Sequence, residues 1–119
     1  MSNSQHFEID EEHQVTHVTL IDPKLFDTLL VTELQDELLD YLLTHQPQNV
    51  IIDFERVTHC STAVINGLLN AKKRVVDYGG VLKLCGMIGP IRDAYKMLNL
   101  DGTVFEIYDS FVDAAEACA

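Results

Sequence analysis

Two short apolar runs, Val50-Ile51-Ile52-Asp53-Phe54 and Val81-Leu82-Lys83-Leu84-Cys85, constrain this chain more than any other feature, because a helix-period stretch follows each of them. A continuous run of this kind suits a strand covered on both faces. Strands joined through a helix pair in parallel by right-handed crossovers. The chain is therefore expected to be α/β. Its aliphatic residues are plentiful, its aromatic residues few, and Trp is absent, which fits Val/Ile/Leu strands better than an aromatic-rich sandwich. With 119 residues and no linker, repeat or low-complexity segment, it reads as one domain over 1–119.

The remaining elements follow from periodicity and turn residues. His6-Phe7-Glu8-Ile9 alternates as an edge strand does, Asp10-Glu11-Glu12-His13 reads as a turn, and Val15 to Ile21 as a second strand, giving an opening hairpin. After Asp22-Pro23, the spacing of Leu30, Leu34, Leu38, Tyr41 and Leu42 predicts a helix over Leu25 to His45. Its acidic face (Asp27, Glu33, Asp36, Glu37, Asp40) reads as a solvated surface. A second helix is predicted from Ser61 to about Asp77, burying Ile65, Leu68, Leu69, Val75 and Val76 and stopping at Gly79-Gly80. Gly89-Pro90 opens a third, with Ile91, Ala94, Tyr95 and Leu98 as its apolar face. Val104-Phe105-Glu106-Ile107 reads as a fourth central-type strand, and Asp109 or Ser110 as the cap of a last helix carrying Phe111, Val112 and Ala115. The order β-β-α-β-α-β-α-β-α predicts a mixed, mostly parallel sheet with its sites at the carboxyl edge of the parallel strands.

Charge removes several function classes. A net charge of −11 argues against nucleic acid and against anionic membrane surfaces, and favours partners with basic patches. Met1 to Gln5 lacks the layout of a signal peptide, and no apolar run approaches the roughly 20 residues that span a bilayer, so no membrane insertion is expected. Cys60, Cys85 and Cys118 form no disulfide or zinc spacing, which fits a reducing cytoplasm. His6, His13, His17, His45 and His59 show no metal-ligand spacing and read as surface or internally satisfied histidines. Gly86-Met87-Ile88-Gly89 lacks the Lys-Ser/Thr of a phosphate-cradling loop and reads as a strand-to-helix turn. No spacing marks an acid/base pair. Neither catalysis, cofactor nor metal is expected.

The informative segment is Thr58-His59-Cys60-Ser61-Thr62-Ala63-Val64, which puts two hydroxyls where a helix begins. Free backbone N–H groups and the positive end of the helix dipole gather there. Ser61 is then either an ordinary N-cap, accepting an N–H bond from the first turn, or a phosphoacceptor, with Thr62 as the second choice. Along the helix, Thr62, Asn66, Asn70, Lys73 and Asp77 fall on one stripe, and Ala63, Gly67 and Ala71 on a neighbouring stripe of small residues. The expected partner-binding set is Thr62, Ala63, Asn66, Gly67, Asn70 and Lys73; the alternative is that the small residues pack beneath this chain's own neighbouring helix. Cys60 reads as a reactive thiolate only if its pKa is lowered, and Cys85 as small core filling.

In order along the chain, the hairpin, Asn49-Val50-Ile51-Ile52-Asp53-Phe54, Cys60-Ser61-Thr62-Ala63-Val64, Gly79-Gly80-Val81-Leu82-Lys83-Leu84-Cys85 and Leu98-Asn99-Leu100-Asp101-Gly102-Thr103-Val104-Phe105 resemble the STAS domain family, notably the bacterial anti-sigma-factor antagonists. The resemblance implies a protein-binding module whose loop serine, here Ser61, is phosphorylated by an anti-sigma serine kinase. The unphosphorylated form then binds the kinase and frees a sigma factor. It also allows another STAS-binding regulator as the partner, and, as the alternative function, a constitutive scaffold or subunit of a larger complex such as a lipid-transport system, without phosphorylation. Two positions depart from the antagonist pattern. Cys60 stands where an Asp is usual, and Ile21-Asp22-Pro23-Lys24-Leu25-Phe26-Asp27 replaces the usual Gly-x-Leu-Asp-type segment.

Overall fold

The computed structural model describes residues 6–12 and 14–118. The expectations for Met1–Gln5 and for His13 lie outside the described residues. Strand β1 (Phe7–Glu12) pairs antiparallel with β2 (Val15–Leu20), Phe7 opposite Leu20 and Glu12 opposite Val15. The hairpin is therefore longer than predicted, because Asp10, Glu11 and Glu12 continue β1 instead of forming the turn. As the outer strand of the sheet, β1 leaves these three carboxylates in solvent, where an edge strand tolerates charge and is protected by it.

From β2 the sheet continues in parallel through β4 (Asn49–Asp53), β6 (Val81–Cys85) and β7 (Ile107–Tyr108), in the order β1-β2-β4-β6-β7. Residues two apart on a strand share a face. Val18, Leu20, Val50, Ile52, Leu82 and Leu84 form the main core beneath α1 (Thr28–His45), α2 (Thr62–Asp77) and α3 (Gly89–Met97). On the other face Val15, Ile51 and Cys85 lie beneath α4 (Phe111–Cys118), which buries Ala114. The α/β class and the mixed, mostly parallel sheet are as expected.

Three local expectations are corrected. Helix α1 starts at Thr28, not Leu25, because Lys24-Leu25 form a two-residue strand, β3, parallel to β5 (His59–Cys60). Asp27 then fixes the helix start by accepting from the Leu30 N–H at 3.1 Å. Val104-Phe105-Glu106 is not strand. Phe105 N–H bonds back to the Leu100 carbonyl at 2.9 Å, and Phe105 is fully buried as a core plug, so its apolar character reports packing rather than pairing. The strand that follows lies at the sheet edge, not its centre. Finally, Val76, Leu98 and Val112 are exposed. The buried stripe of α2 runs Val64, Leu68, Ala71, Val75 with Ile65 beside it, a phase that leaves Val76 one step outside.

Candidate functional site

The short β3–β5 ribbon places two helix starts side by side. Pro23 offers its carbonyl to the N–H groups of Thr58 (2.7 Å) and His59 (3.1 Å), and Leu25 offers its own to Ser61 N–H at 2.8 Å. These bonds lock the segment before α2 onto the segment before α1. Ser61 occupies the N-cap position of α2 with extended backbone (φ −82, ψ 162), yet its side chain makes no capping bond. The position matches the N-cap expectation; the hydroxyl bond that defines such a cap is not made. Ser61 is half-buried, not sealed inside, and Thr62 is exposed. No acidic residue stands in the first turn of α2 to occupy the positive end of its dipole.

Beyond the start, Thr62, Ala63, Asn66, Asn70, Lys73 and Asp77 are all exposed. The small residues divide. Ala71 is buried and Gly67 half-buried against α1, where a Cβ at Gly67 would collide with the Gln35 side chain. Gln35 also donates through Nε2 to the Ala63 carbonyl at 2.9 Å. Packing beneath the neighbouring helix thus describes Gly67 and Ala71, whereas the Ala63 side chain stays on the open face. Gly67, Asn66 and Asn70 line a narrow groove of about 180 Å³ between α1 and α2.

Cys60, in place of the usual Asp, offers neither a carboxylate nor a nucleophile. Burial pushes its thiol up to about 11, so it remains protonated at neutral pH. The lowered pKa that a reactive thiolate requires is therefore contradicted. Burial likewise raises Cys85, which is fully enclosed in the core as expected. In front of Cys60 and Ser61 opens a second cavity, of about 340 Å³, walled by Phe26, Ile65, Pro90, Ile91, Ala94 and Tyr95 among others.

Away from this site the fold carries polar clusters that no spacing announced. His17 donates through Nε2 to Asp53 Oδ2 at 2.8 Å and stacks on Phe111 at 3.7 Å between ring centres. Asp53 is buried and accepts the Glu55 N–H with its other oxygen at 2.9 Å. Gly86, at φ +75, closes over it, and a Cβ there would run into Asp53 Oδ1. The Gly86–Gly89 segment is thus the strand-to-helix turn expected of it, with a glycine required on two counts. Lys83 is buried against Glu106 and lies over the Tyr108 ring, and Arg92 ties Asp101, Asp109 and the Ile107 carbonyl together. His6 bonds Asp22 at 2.7 Å and Glu33 at 3.3 Å, so Glu33 is not merely solvated. His45 bonds the Tyr41 carbonyl, and His59 the Thr58 hydroxyl. Each described histidine has a protein partner, and no group of three potential ligands among the described residues could hold a metal.

The sequence matches the family model of the STAS domain over residues 6–114. No curated protein sequence matches it. Among solved structures, an anti-sigma-factor antagonist (STAS) domain protein from Planctomyces limnophilus superposes with a TM-score of 0.81 at 23% identity, covering 93% of this chain and 96% of that one. The Bacillus cell fate determinant SpoIIAA in its phosphorylated form gives 0.70 at 13% identity, covering 95% of this chain and 99% of that one. The murine Solute Carrier 26 family member A9 anion transporter gives 0.73 at 17% identity over 91% of this chain but only 18% of the transporter. At these identities the superpositions speak for the fold, and the family match covers nearly the whole sequence: the chain belongs to the STAS domain family.

Proposed function

We propose that this chain is a cytoplasmic, non-enzymatic protein-binding module, one domain over 1–119, that acts as an anti-sigma-factor antagonist does and is switched by phosphorylation of Ser61. The observation that carries this is the Ser61 hydroxyl: half-exposed at the start of α2, unused as a cap, and continuous with the exposed stripe Thr62, Ala63, Asn66, Asn70 and Lys73. Gly67 forms the floor of the groove beside that stripe. The partner is an anti-sigma serine kinase or another STAS-binding regulator.

A phosphoryl group on Ser61 adds about −1.5 to −2 charge at the start of α2, where the helix dipole favours an anion. The module stays folded and the partner loses its contact. Covering the dianion without a counter-charge at a cost of about 4 kcal/mol would weaken binding roughly a thousandfold. Cys60 contributes no competing negative charge at this site, because its thiol is protonated. Thr62, exposed and one residue on, is the secondary acceptor.

A second reading is a constitutive STAS subunit, in a lipid-transport system or another assembly. The superposition on a transporter of which the matching part is 18% favours it, since there the same fold serves within a larger protein. Purification from the native cell with bound partners, followed by intact mass and peptide mapping, separates the two. Phosphate on Ser61 with a kinase or sigma-pathway partner supports the switch; stoichiometric recovery in a large complex with no phosphate on Ser61 supports the subunit.

A further inference from the structure

Helices α1, α2 and α3 pack on one face of the sheet and share its main core, whereas α4 packs alone on the opposite face. Beneath it Val15, Ile51, Cys85 and Ala114 form a small buried cluster, separate from the main core. With eight residues, α4 is shorter than the ~12–15 below which an isolated helix is marginal in water, so docking is what holds it. That docking is thin. Ala114 is buried, Phe111, Ala115 and Cys118 are half-buried, and Val112 is exposed. Phe111 lies flat on the His17 ring. Among the described residues, no hydrogen bond or ion pair joins an α4 side chain to the sheet, and the Asp113 N–H bonds only back to Ser110 Oγ at 3.2 Å. The last turn carries Glu116 and no basic residue, so nothing there complements the negative end of the helix dipole.

The chain just before α4 is fixed by contrast. Arg92 donates to the Ile107 carbonyl at 2.9 Å and to the Asp109 carboxylate at 2.7 Å, which pins β7 and Asp109 to α3. An element held by few apolar contacts opens at a lower free energy than the whole domain. We propose that α4 is a hinged cover: it swings away as a unit about Asp109-Ser110 while the sheet and the other three helices stay folded, and it uncovers Val15, Ile51 and Cys85. Burial raises the Cys85 thiol and keeps it protonated while α4 is docked, whereas an uncovered thiol ionises and reacts as a free cysteine does. The uncovered strip lies on the face opposite α2, so the opening stands whether or not Ser61 is phosphorylated.

The test is the rate at which N-ethylmaleimide modifies Cys85 as urea is raised, in the full chain carrying Cys60→Ser and Cys118→Ser so that Cys85 is the lone thiol. Without urea, labelling is expected to run at least about tenfold faster than global unfolding alone allows, with a shallow urea dependence that steepens only near the unfolding midpoint. Phe111→Ala loosens the docked helix and is expected to speed labelling about tenfold. Ile65→Val, in the main core, raises the globally unfolded population about two- to tenfold, yet should leave Cys85 labelling within about twofold of its starting rate. The proposal is overturned if labelling follows global unfolding in its urea slope and quickens in Ile65→Val by the same factor as the unfolded population, or if Phe111→Ala leaves it unchanged.

Discussion

Helices α1 and α2 start side by side from one ribbon, and they use their starts differently. Asp27 gives its carboxylate to the Leu30 N–H and closes the first turn of α1. Ser61, at the same position of α2, caps nothing. Paired groups elsewhere in the fold resemble α1 in this respect: Asp53 is held by His17 and the Glu55 N–H, Lys83 by Glu106, Arg92 by two carboxylates and a carbonyl. Polar groups that hold the fold together are already paired, and such groups have little left for a partner. The start of α2 is where a reactive side chain is left over, on a face of modest charge that another protein can approach.

Each side of that contrast can be broken separately. The largest effect belongs to the tied side. Asp53→Ala removes the buried acceptor of the half-buried His17 ring and of the Glu55 N–H and is expected to cost about 2 kcal/mol in urea denaturation. At the helix starts the two caps should part. Asp27→Ala is expected to cost about 1 kcal/mol, the usual loss of a working cap. Ser61→Ala should change stability by less than about 0.5 kcal/mol, because no capping bond is lost. Equal losses at the two positions would mean that Ser61 caps its helix in solution.

The smallest effect concerns His6. Burial opposes its protonation, but hydrogen bonds to Asp22 and Glu33 and the nearby Glu37 outweigh that and raise its pKa above 6.5. The folded state thus binds this proton more tightly than the unfolded chain does. The resulting stabilisation is fully present below pH 6.5 and is lost as pH rises through the raised, folded-state value. Denaturation midpoints compared on the two sides of that window should fall with rising pH in the wild type and fall less in His6→Gln. An identical pH dependence of the two proteins would remove His6 from the account.

The sheet and the helices of the main core were legible because their signals are local: apolar runs at Val50–Phe54 and Val81–Cys85, and 3.6-residue periodicity in α1 and α2. What was not legible depends on residues far apart in sequence. The start of α1 is set by Lys24-Leu25 pairing with His59-Cys60, some 35 positions on, which no window around Leu25 contains. Phe105 looked like a strand residue because burial, not pairing, selected its side chain. At the site, the helix start at Ser61 and the exposed stripe of α2 followed from spacing. Nothing in the sequence showed that Gln35 lies over Gly67, that Tyr95 reaches the cavity beside Cys60, or that His17 bonds Asp53. Only the crossovers of the sheet bring those pairs together.

Residue 61 is proposed to control a contact and not the fold. The most direct measurement is the affinity of the co-purified partner for wild type, Ser61→Ala and Ser61→Asp, with the denaturation midpoint of each recorded alongside. Wild type and Ser61→Ala are expected to bind alike and to unfold at the same midpoint, whereas Ser61→Asp binds far more weakly, approaching a thousandfold for the full phosphate charge, and unfolds at the same or a slightly higher midpoint. Equal affinity of all three for that partner, with all three folded, would contradict it.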